Sequence, residues 1–343
     1  MSSIFIKVEQ PLVSFGIITD VQYADLPDGT DHTKTKPRYY RNSLSLLKNA
    51  INEWKSTLYP VSFVIQLGDL IDGRNQEFGG TPQSLMALRS ALHALDALHL
   101  PVCHVFGNHD LYNFTRSFFA ASPLVDMTTT GFLNRTASPS SPSPRMYYTF
   151  LFHQKLRIVA LDSYEVGLLG YSDKPDEPNH QRALTWMSKK NPNVDRNHST
   201  GLEGLERRWV AYNGGVSDTQ INWLDHTLAA ARDKKENVIV LTHVSLQNEV
   251  KDDSSLCLLW NYEEVLQVIH QYPCVIAVLA GHDHDGHYCV DDHGVHHITF
   301  PGVIETRPGS DCYATARMWK DKLTIAGAGR VQNFVVPLRY PAV

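Results

Sequence analysis

At 343 residues and 43% hydrophobic content, the chain is long enough to bury one large core or two modest ones, and its 20% charged residues are ordinary for a globular protein. A formal charge of -5 offers no basic field for a polyanion, so nucleic acid is excluded as a standing partner, and no run has the length a bilayer span needs. The opening residues, with Lys7, Glu9, Gln10 and Pro11, lack the apolar stretch of a signal peptide, and the five cysteines (Cys103, Cys257, Cys274, Cys289, Cys312) form no C-x-x-C pair. The expectation is a cytoplasmic monomer that acts on small molecules away from membranes, in which the N-x-S/T triplets at Asn113, Asn134 and Asn197 are chance matches.

Short apolar runs recur along the chain, several followed by helical spacing, as in a parallel sheet buried on both faces. Phe15 to Thr19, Val61 to Leu67 and Val102 to Phe106 read as the first three strands. Leu44, Leu47, Ile51 and Trp54 mark a covering helix between the first two, and Leu85, Leu88, Leu92 and Leu95 mark another before the third. Ala137 to Pro144 is a Ser/Pro-rich loop inside an insertion at residues 123–146. Ile158 to Leu161, Val238 to Thr242 and Val275 to Ala280 read as later strands. Between the first two of these, residues 170–215 are long, polar and dense in Asn, Pro and Gly, which suggests a cap beside the site. Ile221, Leu224 and Leu228, with Ser217 and Asp218 as candidate caps, form a third helix, and Val265, Leu266 and Ile269 a fourth. Beyond Gly281, His297 to Phe300, Ala314 to Met318 and Leu323 to Ala326 read as antiparallel strands. With no repeat and no clear linker, the chain reads as one α/β domain with two insertions.

Polar residues that end several strands of an open α/β sheet converge at the carboxyl edge, where ligands bind. Five such clusters stand here: Asp20-Val21-Gln22, Gly68-Asp69-Leu70-Ile71-Asp72-Gly73, Gly107-Asn108-His109-Asp110, Thr242-His243 and Gly281-His282-Asp283-His284. Their carboxylates, carboxamides and imidazoles form a mixed oxygen and nitrogen donor set suited to divalent metals. Residues at i and i+2 of an extended segment share a side, which would bring Asp20 with Gln22, and His282 with His284, toward one cluster. Asp69 is the candidate bridge, with Asp20, Gln22 and His284 on one ion and Asn108, His243 and His282 on the other. Asp72 reads as a turn or N-cap residue, and His287, His293, His296 and His297 as solvated or hydrogen-bonded rather than metal-binding.

In this order the five clusters resemble the calcineurin-like metallophosphoesterase superfamily. That resemblance implies a layered α/β/β/α sandwich with a dinuclear site at the C-terminal ends of the strands. Gln22 departs from the superfamily, which normally has histidine there; an amide oxygen hardens the site and favours manganese or magnesium over zinc or iron. Asp20-Val21-Gln22-Tyr23-Ala24-Asp25, Arg38-Tyr39-Tyr40-Arg41, Asn213-Gly214-Gly215, Trp260-Asn261-Tyr262 and Gly302-Val303-Ile304-Glu305-Thr306 are similar to the manganese-dependent ADP-ribose/CDP-alcohol diphosphatases over nearly the whole chain. This implies hydrolysis of the pyrophosphate of ADP-ribose, CDP-choline and other CDP-alcohols, with cyclic ADP-ribose and ADP-sugars as further candidates, by water activated between two divalent ions.

By its match to the superfamily motif, His109 is the expected proton donor or cationic stabiliser, and Asp110 the carboxylate that orients it. Tyr212, Asn213, Cys257 and Trp260 are candidates for the base and ribose pocket. Arg38 and Arg41 read as solvated or ion-paired. The competing readings are a phosphodiesterase acting on cyclic nucleotides or lipid head groups, and a noncatalytic scaffold, which is disfavoured because the ligand set is present.

Overall fold

The computed structural model describes residues 9–31, 33–122, 145–247 and 256–342. The first third contains β1 (Val13–Ile18), the short hairpin β2 (Gly29–Thr30) and β3 (Pro37–Arg38), α1 (Tyr40–Ser56), β4 (Phe63–Gln66), α2 (Arg74–Asp96), β5 (Val102–His104), α3 (Asn108–Asn113) and α4 (Arg116–Ala120). The middle contains β6 (Tyr148–His153), β7 (Leu156–Ala160), α5 (Pro178–Lys190), α6 (Asp218–Asp233) and β8 (Asn237–Leu241). Then follow α7 (Tyr262–Ile269), β9 (Val275–Ala280), β10 (His287–Val290), β11 (His296–Thr299), β12 (Cys312–Met318), β13 (Lys322–Gly329) and β14 (Phe334–Pro337).

Among the described residues two six-stranded sheets form, ordered β14-β13-β12-β1-β4-β5 and β10-β11-β9-β8-β7-β6. Within the first, β1, β4 and β5 run parallel, and all six residues of β1 are buried, as a strand covered on both faces requires. Alternation along β1 assigns its two faces. Phe15 stacks on Phe63, which also meets Phe150 and Phe152 of the second sheet, so this face joins the sheets. Gly16 points the other way, where a Cβ would sit 2.5 Å from the Trp54 ring of α1, so the glycine is what lets that helix close onto the strand. Leu46, Leu47, Ala50, Ile51 and Trp54 form the buried stripe of α1, and Ser217 caps α6 by accepting a hydrogen bond from the Gln220 amide. The layers are therefore helix, sheet, sheet, helix.

Two features differ from the sequence expectation. The strand at His297 is antiparallel to β10 but parallel to β9, because β10 is an edge strand inserted in the crossover between β9 and β11. Residues 170–215 are not only loop: Pro178 opens α5, whose Ala183 and Met187 pack with Val166, Trp209 and Trp260 in a small core of their own. The insertion at 123–146 lies outside the described residues, apart from Arg145 and Met146. No helix among the described residues is long and apolar enough to cross a membrane.

Candidate dinuclear metal centre

The chain turns sharply where the buried strands end. Asp20, Gln22, Asp69 and His282 all have positive φ (49°, 43°, 56° and 70°), a region that non-glycine residues seldom enter and that concentrates at functional sites. Asp20 and Gln22 therefore converge through left-handed backbone rather than through the extended i, i+2 geometry expected from the sequence. Backbone bonds fix the turn: Asp20 N–H donates to Gly68 O at 3.1 Å, Gln22 N–H to Asp69 O at 2.8 Å and Ile304 N–H to Asp20 O at 3.0 Å. A Cβ on Gly107 would lie 2.0 Å from Asp69 Oδ1, so only glycine leaves room for the carboxylate.

Each of the three histidines has one ring nitrogen held by an oxygen that can only accept. His243 Nδ1 lies 2.8 Å from the Leu67 carbonyl, and His284 Nδ1 lies 2.8 Å from Glu305 Oε1. His282 Nε2 lies 2.8 Å from Asn213 Oδ1. The Asn213 orientation is settled by its own amide, which donates to Arg208 O at 2.8 Å and Leu256 O at 2.6 Å. With the outer nitrogens bonded to acceptors, His243 Nε2, His284 Nε2 and His282 Nδ1 are left for the cluster, and each can take a metal once it has shed any proton it carries, which is how protein shells prepare imidazole for a metal. Buried His243 Nε2 has no hydrogen-bond partner, and Asp69 Oδ2 lies 3.4 Å from it.

Ligand atoms of Asp69, His243 and His282 all lie within 4.8 Å of one another. On the other side, His284 Nε2 is 3.3 Å from Asp20 Oδ1. Asp69 Oδ2 stands between the two groups, 3.2 Å from Gln22 Nε2. Asn108 begins α3 and accepts from the Tyr164 hydroxyl at 3.3 Å. Burial opposes charge throughout, but the bonded and charged neighbour His284 holds Asp20 well below the usual carboxylate range. Although burial favours a neutral ring, the Asp69 carboxylate lifts His243 to about 9; burial and the charge on His243 push His282 down to about 3. Charge of one sign facing the other inside a dry shell, with an orphaned imidazole nitrogen at its centre, fits divalent cations.

Gln22 behaves differently from its expected role. Its Oε1 accepts from Arg38 NH1 at 2.5 Å, and since a guanidinium only donates, the amide nitrogen must face inward, 3.0 Å from His284 Nε2. In this arrangement Gln22 presents its amide nitrogen to the cluster. Arg38, 3.8 Å from both Asp72 and Glu305, is ion-paired as expected, whereas its bond to Gln22 could not be read from the sequence.

Asp110 also takes another place. Its carboxylate accepts from the backbone amides of Asp69 (2.8 Å), Leu70 (2.9 Å) and Gly107 (3.0 Å), which fastens the Asp69 and Gly107 turns together. Burial and the nearby Asp69 charge push it up to about 7. The residue beside His109 is Asp72, whose Oδ2 lies 3.1 Å from His109 Nδ1 while its Oδ1 accepts from Arg74 N–H at 2.8 Å. Asp72 is thus the turn residue expected and also a neighbour of His109. Its i+3 spacing from Asp69, across one tight turn, was the available signal. His109 N–H donates to Asp69 Oδ1 at 2.7 Å, Gly73 N–H donates to His109 Nδ1 at 3.0 Å, and the side chain is 20% exposed at the mouth of the site.

The calcineurin-like phosphoesterase model matches residues 13–286, which contain every one of these donors. The chain belongs to this family. Among its relatives, the manganese-dependent ADP-ribose/CDP-alcohol diphosphatase of Xenopus tropicalis is 38% identical over 98% of this chain and 97% of that one. The enzyme of the same name from Arabidopsis thaliana is 39% identical over 94% and 96%. The crystal structure of a dimetal phosphatase from Danio rerio superposes with a TM-score of 0.85 at 36% identity, covering 96% of this chain and 100% of that one.

Within this phosphoesterase, the four pocket candidates separate. The Tyr212 ring lies 5.9 Å from His282 and Cys257 Sγ lies 4.0 Å from His282 O, both beside the centre. Asn213 is fully buried and holds His282. Trp260 is also fully buried: it stacks on Trp209 at 5.5 Å and its Nε1 donates to Val210 O at 3.2 Å, so it is a core residue of the cap and presents no face to a ligand. Glu305, Asn213 as a histidine anchor, and Asp72 are the functional neighbours that sequence reasoning did not assign.

Proposed function

We propose that the protein is a manganese-dependent diphosphatase that cleaves the pyrophosphate of ADP-ribose, CDP-choline and other CDP-alcohols, releasing a nucleoside monophosphate and a phosphorylated sugar or alcohol. The observation that carries this reading is the strand-end donor set, with three histidines each anchored through one ring nitrogen and grouped around Asp20 and Asp69. Full-length relatives with one shared name supply the substrate class and the metal. Carboxylate, carboxamide and imidazole donors without thiolate are compatible with manganese.

Asp20, Asp69, Asn108, His243, His282 and His284 are the residues that would hold the two ions, with Gln22 beside them. When bound, such ions supply Lewis acidity and lower the pKa of a coordinated water. His109, at the mouth and backed by Asp72, donates a hydrogen bond or proton to oxygen of the reacting phosphate. A new phosphorus–oxygen bond forms from water as the anhydride bond breaks. The departing phosphate monoester has a second pKa of about 6, so it needs little help from an acid. The chain works as one cytoplasmic domain and as a monomer without nucleic-acid or membrane partners; five free thiols suit a reducing compartment.

The test is product analysis with manganese-loaded protein on ADP-ribose, CDP-choline, cyclic AMP and bis(4-nitrophenyl) phosphate. AMP with ribose 5-phosphate, and CMP with phosphocholine, formed in preference to cyclic AMP hydrolysis, are expected. Failure on both diphosphates would sink the proposal.

A further inference from the structure

A diphosphate diester carries one negative charge on each of two phosphates. The metal centre neutralises the reacting one, and the other needs a cation that is not already committed. On the side of the site formed by the β2–β3 hairpin and the starts of α1 and α2, most cations are taken. Lys36 pairs with Asp285 at 2.6 Å, Arg41 with Asp25 at 2.6 Å, and Arg38 is shared among Gln22, Asp72 and Glu305.

Arg74 and Lys34, the latter exposed in the β2–β3 loop, have no such pair among the described residues, and of the two only Arg74 is held against the fold. No carboxylate among the described residues lies within 4.0 Å of its guanidinium nitrogens. Its guanidinium carbon lies 5.8 Å from the Tyr40 ring centroid and 5.7 Å from that of Phe78. The two aromatic side chains, one of them also hydrogen-bonded to Arg74 through the Tyr40 hydroxyl, hold the guanidinium without neutralising it, leaving its charge and its remaining donors available. Tyr40 is 2% exposed and anchored in the fold, whereas Phe78 is 59% exposed, an unusual position for phenylalanine unless it frames something at the surface. The backbone ties the residue to the chemistry: Arg74 N–H donates to Asp72 Oδ1 at 2.8 Å, the adjacent Gly73 N–H donates to His109 Nδ1 at 3.0 Å, and Asp72 Oδ2 is 3.1 Å from that same nitrogen. Gly80, at φ 61° and ψ -163°, breaks α2 after this segment, so Arg74 and Phe78 sit on a short turn of helix of their own.

We propose that Arg74, framed by Tyr40 and Phe78, is a substrate-binding residue that takes the non-reacting phosphate of a nucleoside diphosphate substrate on the His109 side of the metal centre. The proposal rests on the diphosphatase reading and adds the residue that distinguishes a diphosphate from a simple phosphodiester. A charged bidentate contact at the edge of a site contributes roughly tenfold to a hundredfold in affinity.

The experiment uses manganese-loaded full chain, wild type, Arg74→Gln and Arg74→Lys, with bis(4-nitrophenyl) phosphate as a substrate bearing a single phosphate. ADP-ribose serves both as a substrate and as a competitive inhibitor of that reaction. For Arg74→Gln, KM and Ki for ADP-ribose rise roughly tenfold to a hundredfold, kcat on ADP-ribose changes less than KM, and kcat/KM for the nitrophenyl diester stays within about twofold. Lysine restores part of the loss, since it keeps the charge and gives up the fork. An unchanged Ki, or an equal loss on both substrates, overturns the role. If wild type binds ADP-ribose without hydrolysing it, the diphosphatase reading fails while the Ki series still decides Arg74. If ADP-ribose does not inhibit wild type at all, both fall.

Discussion

Replacing Asn213 by alanine probes the shell behind the metal centre at a residue that is fully buried and touches no solvent. The side chain joins three groups at once: it accepts from His282 Nε2 at 2.8 Å and donates to Arg208 O at 2.8 Å and Leu256 O at 2.6 Å. Alanine leaves one donor and two acceptors without that partner, at about 1–3 kcal/mol for each that water cannot reach. The His282 ring also loses what fixes its tautomer, and loss of such outer partners typically weakens metal binding about 10–100-fold. Two readouts separate these effects. Thermal denaturation of the metal-free protein reports the structural loss, and manganese titration followed by calorimetry or electron paramagnetic resonance reports the affinity. The expected result is a lower Tm together with one weakened manganese site, while the site built on Asp20 and His284 keeps its affinity. Wild-type affinity at both sites would refute the claim that Asn213 prepares His282 as a ligand.

Changing His109 to alanine should lower kcat about 10²–10⁴-fold with two manganese ions still bound by elemental analysis, because His109 lies at the mouth rather than among the ligands. Unchanged turnover would remove it from the chemistry. Asp72→Asn should lower kcat by a smaller factor in the same assay. Trp260→Ala should cost about 3–5 kcal/mol in denaturant unfolding while the preference between ADP-ribose and CDP-choline stays as in wild type; a shifted preference with intact stability would restore Trp260 to the pocket. Asp291 accepts from His270 and His297, each at 2.9 Å, and from the Val295 amide. Although burial opposes it, the bond from His297 and the backbone keep Asp291 well below the usual carboxylate range. A depressed pKa stabilises the fold above the unfolded value near 3.9 and is lost as pH falls through the folded one. Asp291→Asn should therefore lower Tm at pH 7, with a gap from wild type that narrows as the pH falls below about 4; a gap independent of pH would contradict this.

What could be read from the sequence was what lies within a few residues of a strand end. Phe15 to Thr19 and Val238 to Thr242 are apolar runs broken by a polar side chain, so Asp20 and His243 announce themselves. The same signal gave Asp69 and Asn108, each behind a glycine with no room for a Cβ. Partners that arrive from far along the chain leave no local trace: Asn213 meets His282 across 69 positions. Arg38 reaches Gln22 across 16 positions, from a two-residue strand too short to show periodicity. The same distance problem misdirected Asp110, because adjacency in sequence suggested His109 as its partner while the helical turn of α3 points the carboxylate at the Asp69 loop. β10 was missed because it is an edge strand of four residues with mixed exposure, and without it the parallel pairing of β11 with β9 could not be foreseen.

The central claim is that the strand-end donors form one cooperative two-metal centre that hydrolyses a diphosphate. Metal-stripped protein titrated with manganese, with bound ion and ADP-ribose hydrolysis followed in the same samples, tests it most directly. The account predicts two ions per chain and AMP formation that reaches its plateau with the second, with both lost in Asp69→Ala, since Asp69 stands between the two ligand groups. Full hydrolysis with one ion bound, or undiminished hydrolysis by Asp69→Ala, would contradict it.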